Sequence, residues 1–199
     1  MIGTKLFKRL CQDDKGVTLV EFAFVGPVLI ILLMGLFDMA HAQYTSAQIA
    51  GAMQKAGRDL TLESAGSQQT SIDNVVIGRV KTVVPGSATI TLEKLSHFDF
   101  TDIGEAENFT DDNDDGICND GEPFEDANEN GQWDANRGQS GIGGARDAVL
   151  YTAVVEYPRL FPIAGLVGMD RIQKLEASTV LRNQPYGQQS RETLVGNCP

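Results

Sequence analysis

"KGVTLVEFAFVGPVLIILLMGLFD", Lys15 to Asp38, encloses a single charged side chain, Glu21, in an otherwise apolar run. Val17 to Phe37 is 21 residues. At about 1.5 Å per residue a helix of that length spans about 31 Å, enough to cross the hydrocarbon core of a bilayer. A carboxylate in such a helix costs on the order of 3 kcal/mol by insertion scales, so it usually has a function or a partner. Lys5, Lys8, Arg9 and Lys15 precede the run, against Asp13 and Asp14, which makes the flank net +2. A basic flank stays on the cytoplasmic side and places everything after Asp38 outside the cytoplasm. The competing reading is a secretory signal peptide with an A-x-A-like site in "MAHAQ", Met39 to Gln43. Signal peptides, however, have apolar cores of only about 7–15 residues.

Glu21 has two readings. It can lie at the interface and snorkel out. Alternatively, a cut between Gly16 and Val17 would make it the fifth residue of the product. The new α-amine would then lie within about a turn of a carboxylate. In an assembly of staggered helices that amine would neutralise a neighbour's glutamate in low dielectric. Pro27 removes one helical hydrogen bond, a defect that membrane helices tolerate.

"GVTLVEF" resembles the class III signal of type IV prepilins: a short basic leader, Gly16, four residues of spacing, Glu21, and a long apolar helix. "VEFAFVGPVLIILLMGLFDMA", Val20 to Ala40, resembles TadE-like minor pilins of the tight-adherence (Flp) pilus system. Weaker echoes follow in "VEYPRLFP", Val155 to Pro162, in "STVLRN", Ser178 to Asn183, and in Arg191 and Glu192, which correspond to the family's Arg-Glu close displaced by an insertion. The resemblance implies cleavage after Gly16 by a prepilin peptidase and a role for Glu21 in assembly. It also implies a place in the bacterial inner membrane, and other pilin subunits and the pilus assembly machinery as partners.

With 27 acidic against 16 basic residues the chain is net -11, and the part from Val17 onward is -13. No basic face is available for nucleic acid. Cys11, Cys118 and Cys198 have no C-x-x-C spacing, which argues against a zinc or thioredoxin-type site. After the span the helix is expected to continue over "HAQYTSAQIAGAMQKAGRDLTLES", His41 to Ser64, with Tyr44, Ala47, Ala50 or Gly51, and Leu60 or Leu62 near one face. A second helix is predicted from Ser67 to Val84, capped by Thr70 or Ser71, with Ile72, Val75, Val76, Val80 and Val83 at helical spacing and Pro85-Gly86 ending it. Three strands follow: Ala88 to Phe98, Ala148 to Tyr157 and Ile172 to Arg182. The expected fold class is α+β: a long N-terminal helix packed on a small antiparallel sheet, as in pilins. The organisation expected is a leader, 1–16; a transmembrane and extended helix, 17–64; and an extracytoplasmic domain, 65–199, with an acidic insertion at about 108–137.

That insertion, "DDNDDGICNDGEPFEDANENGQWD", Asp111 to Asp134, holds ten acidic residues and no basic one. Such a loop repels itself unless cations are present. Asp111, Asn113, Asp115, Gly116, Asn119 and Glu122 fall at positions 1, 3, 5, 6, 9 and 12 of the EF-hand calcium pattern, with the Ile117 carbonyl at position 7. A copy follows fifteen residues later: Asp126, Asn128, Asn130, Gly131 and Asp134, with the Gln132 carbonyl at position 7. Its position 12 is Arg137, which cannot ligate, so it would borrow Glu122, Glu125 or a water. Pro123 after Glu122, and the short "GEPFED" link, leave no room for helix–loop–helix geometry. The expectation is a pair of tandem Ca2+ loops of weak affinity, roughly 10⁻⁴–10⁻³ M, as is typical of extracellular modules. Their role would be structural. The alternatives are metal-free turns or a disordered acidic loop.

Removal of the leader would discard Cys11 and leave Cys118 and Cys198 in an oxidising compartment, where they are candidates for a disulfide. Catalysis has little support. His41 and His97 are the only histidines. "IGGARD", Ile142 to Asp147, lacks a Walker lysine, and "NFT", Asn108 to Thr110, is a bare glycosylation sequon. The reading is therefore a non-enzymatic minor pilin or pseudopilin ordered by calcium. The alternative is a membrane-anchored calcium-binding surface protein that enters no filament.

Overall fold

Forty-four consecutive residues, Val17–Leu60, form one helix, α1, in the computed structural model, which describes residues 17–61, 65–166, 168–183 and 194–199. The leader with Gly16, the predicted helix end at Leu62 to Ser64, and Arg191 with Glu192 lie outside the described residues. A helix of this length runs about 66 Å. Its N-terminal part is long and apolar enough to cross a membrane, and only 6% of that window is buried. Phe24, Val28 and Phe37 are each more than 60% exposed. Hydrocarbon is the solvent that makes such a surface stable.

The chain divides into two compact units. One comprises residues 1–42 and 159–171, the other residues 43–158 and 172–199. In the second unit, a second helix, α2 (Ala65–Lys81), is followed by β1 (Thr89–His97), β2 (Pro123–Asp126), β3 (Gln139–Ser140), β4 (Ala148–Pro158), β5 (Ile172–Arg182) and β6 (Leu194–Asn197). The main sheet has the order β3-β1-β4-β5 and every pairing in it is antiparallel. The α+β layout expected from the sequence is the one observed.

Period sets the faces. Along β4, Val149, Tyr151, Ala153, Val155 and Tyr157 alternate inward and are buried. Ile49, Ala52, Met53, Ala56 and Leu60 of α1 meet them, together with Ile72, Val76 and Val80 of α2 and Leu181 of β5. Of the expected stripe of α1, Leu60 is buried and Ala50 partly so, whereas Tyr44 is 56% exposed and Ala47 and Gly51 are exposed. The bulky Ile49 and Met53, which that stripe left out, are fully buried, at about 1.5–3 kcal/mol each, and outvote the small residues. The small residues still matter where the helix approaches β5, because a Cβ on Gly57 would meet Thr179 at 3.1 Å. Helix α2 begins at Ala65 and ends at Lys81, so neither Thr70 nor Ser71 caps it, and Val75 is 49% exposed.

A polar pairing is sunk in this core. Tyr151 is fully buried and donates to Asp73 Oδ1 at 2.6 Å. Lys94 Nζ holds Asp73 Oδ2 at 2.6 Å and lies 5.0 Å from the tyrosine ring centroid. Burial, and then the bond to Asp73, hold the phenol well above its ordinary range. A raised acid keeps its proton in the fold, so its contribution is full below the unfolded value of about 10 and is lost as pH rises beyond it. Tyr151→Phe is expected to cost about 1–2 kcal/mol and to flatten the fall in melting temperature between about pH 9 and 11. Thermal melts of both proteins across that range check it.

Candidate functional site: two tandem acidic loops

The two copies of the sequence repeat adopt the same local structure. Asp111 Oδ1 accepts from Asp115 N at 3.1 Å and its Oδ2 from Gly116 N at 2.8 Å. Fifteen residues on, Asp126 Oδ1 accepts from Asn130 N at 3.0 Å and its Oδ2 from Gly131 N at 2.9 Å. Asp115 Oδ1 takes the Ile117 N–H, and Asn130 Oδ1 takes the Gln132 N–H. Gly116 (φ 76°) and Gly131 (φ 77°) turn each loop in the left-handed region that favours glycine. Asp114 and Glu129 share positive φ values at the corresponding earlier step. A repeated side-chain scheme and a repeated backbone path argue for one function used twice.

The carboxyl that closes each loop is buried. Glu122, 4% exposed, accepts from Asp112 N at 2.8 Å and Asn119 N at 3.3 Å, positions 2 and 9 of its own loop. In the second loop the equivalent amides, Ala127 N at 2.7 Å and Asp134 N at 3.0 Å, bond to Glu107, which is 2% exposed. Glu107 stands upstream of both loops and takes the place that Arg137 leaves empty. Neither carboxylate that the sequence offered as a substitute fills that place. Glu122 serves the first loop. Glu125 takes Asn108 Nδ2 at 2.9 Å and Arg137 at 3.2 Å instead.

Asparagine amides fill much of the space between the carboxyls. Asn113 and Asn119 donate to Asp115 Oδ2 at 3.0 and 2.8 Å. Asn128 and Asn130 donate to Asp134 Oδ2 at 2.8 and 2.6 Å. The Asn119 amide and then the Ile117 N–H hold the exposed Asp115 carboxyl below its usual range. Stability from a lowered carboxyl is present above its unfolded value and is lost as pH falls through the folded one. Among the described residues no three histidine, cysteine, aspartate or glutamate side chains converge as a ready metal cluster. The side chains gathered here are carboxylates and amides, whose oxygens are hard ligands of the kind that suit calcium.

A small core holds the loops. Cys118 and Cys198 form a disulfide with Cα atoms 5.3 Å apart. With Phe124 they make a second buried cluster, against which Phe109 and Trp133 pack. Cys118 and Trp133 occupy position 8 of their respective loops, so each copy turns the same position inward. Phe109 and Trp133 meet edge to face at 5.8 Å, and Trp133 Nε1 donates to the Glu107 carbonyl at 2.7 Å. Strands β2 and β6 pair antiparallel, which brings Phe124 opposite Gly196. A Cβ at Gly196 would collide with the Phe124 ring. Cys198 N donates to Glu122 O at 2.8 Å, so the C-terminal strand is fastened at both backbone and sulfur. Replacing Cys118 with serine is expected to cost about 2–4 kcal/mol and to release Leu194–Asn197 from β2. Hydrogen exchange at those amides, with and without reductant, checks it.

Other sequence candidates have structural partners. His97 is fully buried with Nε2 3.2 Å from Asn136 Oδ1. Ile142 to Asp147 is a turn pinned by Gly144 N to Asp147 Oδ2 at 2.7 Å and by Asn183. A shallow recess of about 330 Å³, lined by Gln54, Gly57, Arg58, Thr61 and Thr179 to Leu181, offers one charged group and no acid–base pair. Glu21 is exposed on α1.

Residues 16–58 match the family described as TadE-like protein. The match takes in Gly16, Glu21 and Pro27, runs to within two residues of the end of α1, and stops short of the sheet and the acidic loops. No curated protein and no solved structure matches the chain. Over residues 16–58, then, the chain is similar to TadE-like proteins, and α1 is long and apolar enough to cross a membrane.

Proposed function

We propose that this chain is a minor pilin or pseudopilin of a tight-adherence pilus, with a calcium-ordered module on an extracytoplasmic domain. The observation that carries the first half is the TadE-like match over residues 16–58, which contains a glycine, a glutamate five residues on and an apolar helix. The chain is held in the bacterial inner membrane by α1. A prepilin peptidase cuts between Gly16 and Val17, and Glu21 then serves assembly with other pilin subunits and the assembly machinery. Intact-mass measurement of the membrane-extracted protein tests this. A mass that starts at Val17 supports it, and one that retains Met1 to Gly16 in cells with an active prepilin peptidase overturns it.

The second half rests on the repeated hydrogen-bond scheme, each copy closed by a buried glutamate. Loop one would hold Ca2+ through Asp111, Asn113, Asp115, the Ile117 carbonyl, Asn119 and Glu122. Loop two would use Asp126, Asn128, Asn130, the Gln132 carbonyl and Asp134, with Glu107 as the closing carboxyl. Each carboxyl oxygen has a second lone pair, so the closers can keep their backbone bonds and still ligate. The side-chain oxygens of Asn113, Asn128 and Asn130 already accept the N–H groups of Asp115, Asn130 and Gln132, and a second lone pair on each would be what it offers the ion. Ca2+ would thus replace the amide donors as the counter-charge and lock ten acidic residues into one shape. Calorimetry on the full chain in detergent should show binding at roughly 10⁻⁴–10⁻³ M, with magnesium a poor competitor. No heat up to several millimolar, with a loop equally protease-resistant in chelator, would reduce the repeat to turn chemistry.

A further inference from the structure

The stretch between β4 and β5, Arg159 to Arg171, is apolar through its middle, "RLFPIAGLVGMDR". In an ordinary soluble domain such a connection would bury its large side chains or replace them with polar ones. Here Leu160 is 45% exposed and Met169 is 50% exposed. The stretch forms one compact unit with residues 1–42, the unit that contains the apolar part of α1.

Its attachment point is specific. Arg159 Nη1 binds Asp38 Oδ2 at 2.7 Å, and Leu160 N donates to Asp38 Oδ1 at 3.2 Å. The same arginine draws the ends of the excursion together: its Nε donates to Asp170 O at 2.9 Å and its backbone N to Arg171 O at 3.0 Å. Asp38 is only 8% exposed, so this ion pair is sheltered and geometrically fixed. Asp38 is also the first charged residue after Glu21, the point at which the apolar run of α1 ends. Met34 and Gly35, one turn back inside that run, are half-shielded, whereas Leu32, Leu33, Leu36 and Phe37 around them are exposed. An excursion draped over the helix at Asp38, reaching toward its apolar side, accounts for that shielding.

Charge points the same way. Arg159 is neutralised by Asp38, and Arg171 is balanced by Asp170. The patch is therefore neutral in a chain that carries -13 beyond its leader. A neutral patch is repelled less by anionic headgroups than the acidic loops are. A short apolar stretch with charged ends, held at the level where a spanning helix leaves the hydrocarbon, has the chemistry of an interfacial membrane contact.

We propose that the β4–β5 excursion is a second membrane contact, tied by Arg159 to Asp38, which lays Leu160 and Met169 in the headgroup–acyl boundary of the leaflet from which α1 emerges. The proposal rests on α1 spanning a bilayer. It makes the anchor two-point: the helix fixes position and the excursion fixes tilt and rotation about the helix axis.

The full chain in phosphatidylethanolamine–phosphatidylglycerol vesicles tests it. Leu160→Trp and Met169→Trp add a fluorophore to the native Trp133. Leu29→Trp marks the span, and Val195→Trp, at a site 72% exposed on β6, marks water. Lipids spin-labelled near the headgroup should quench the added emission of the Leu160→Trp and Met169→Trp proteins by about two-fold or more, and leave that of Val195→Trp unchanged. Quenching at position 29 but iodide-accessible, lipid-silent emission at 160 and 169 would overturn the inference while leaving the span intact. Loss of the lipid signal at position 29 as well would remove the anchoring reading itself. Emission at 160 and 169 shielded from both quenchers would mean a protein contact there and would also overturn it.

Discussion

Glu107→Ala is expected to open the second acidic loop and remove its calcium event, although residue 107 lies outside the repeat. The side chain is 2% exposed and accepts from the amides of Ala127, Asn128 and Asp134. Truncation strands those donors in a desolvated site, at about 1–3 kcal/mol for a group left without a partner. Because the three bonds share one carboxyl, their losses do not add, and a total of roughly 3–5 kcal/mol is expected. That is a large share of the few to fifteen kcal/mol that hold a typical domain. Amide exchange over Ala127 to Asp134 should accelerate first. Glu107→Gln separates charge from shape. It keeps an acceptor oxygen and most of the packing, so stability in chelator should fall less. Loss of the anionic ligand should still weaken binding at loop two by roughly ten-fold, about 1.4 kcal/mol. Glu122→Ala is the matched control and should transfer both effects to loop one, at the Asp112 and Asn119 amides. A Glu107→Ala protein with wild-type calorimetry and wild-type exchange would refute the assignment of Glu107 as the closing carboxyl.

Why Glu107 escaped the sequence reading is physically plain. The EF-hand pattern looks for its last ligand within twelve residues of the first, and Arg137 ends that search for loop two. The substitute arrives from the other direction because a backbone path through Asn108 to Thr110 pairs with β2: Glu125 N donates to Asn108 O and Thr110 N to Pro123 O. Long-range pairing of that kind leaves no periodic trace. The same applies to β2, β3 and β6, which are two to four residues long and had no alternation to betray them. The long elements were legible because period and burial agree over many residues. β5 runs from Ile172 to Arg182 as read, and Pro85-Gly86 stops the second helix within a few residues of its expected end. Cys118 and Trp133 share position 8 of their loops, and it is the small core that joins them. Asp38 and Arg159 were separately visible, one as the end of the span and the other within "VEYPRLFP". Only the fold brings them together.

Glu21→Val should produce the largest functional loss at the smallest structural cost. Position 21 is exposed on α1. Valine removes a residue that hydrocarbon disfavours by about 3 kcal/mol, so membrane insertion should be as efficient or better. The sheet, the disulfide and the acidic loops lie elsewhere in the sequence and should be unchanged by circular dichroism and calcium titration. If the α-amine exposed after Gly16 is the partner of a neighbour's Glu21, the variant buries an unpaired ammonium at every subunit contact. Breaking such a pair costs about 3–5 kcal/mol, equivalent to a hundred-fold or greater loss of association. Co-purification with pilus components and piliation should collapse together. Replacing Gly16 with tryptophan reaches the same end by another route, because an uncut leader leaves no α-amine at Val17. The two lesions should therefore not add: the double variant should be no worse than either single one. Normal piliation by the Glu21→Val protein, or a double variant clearly worse than both parents, would sever the link between the cut and the carboxylate.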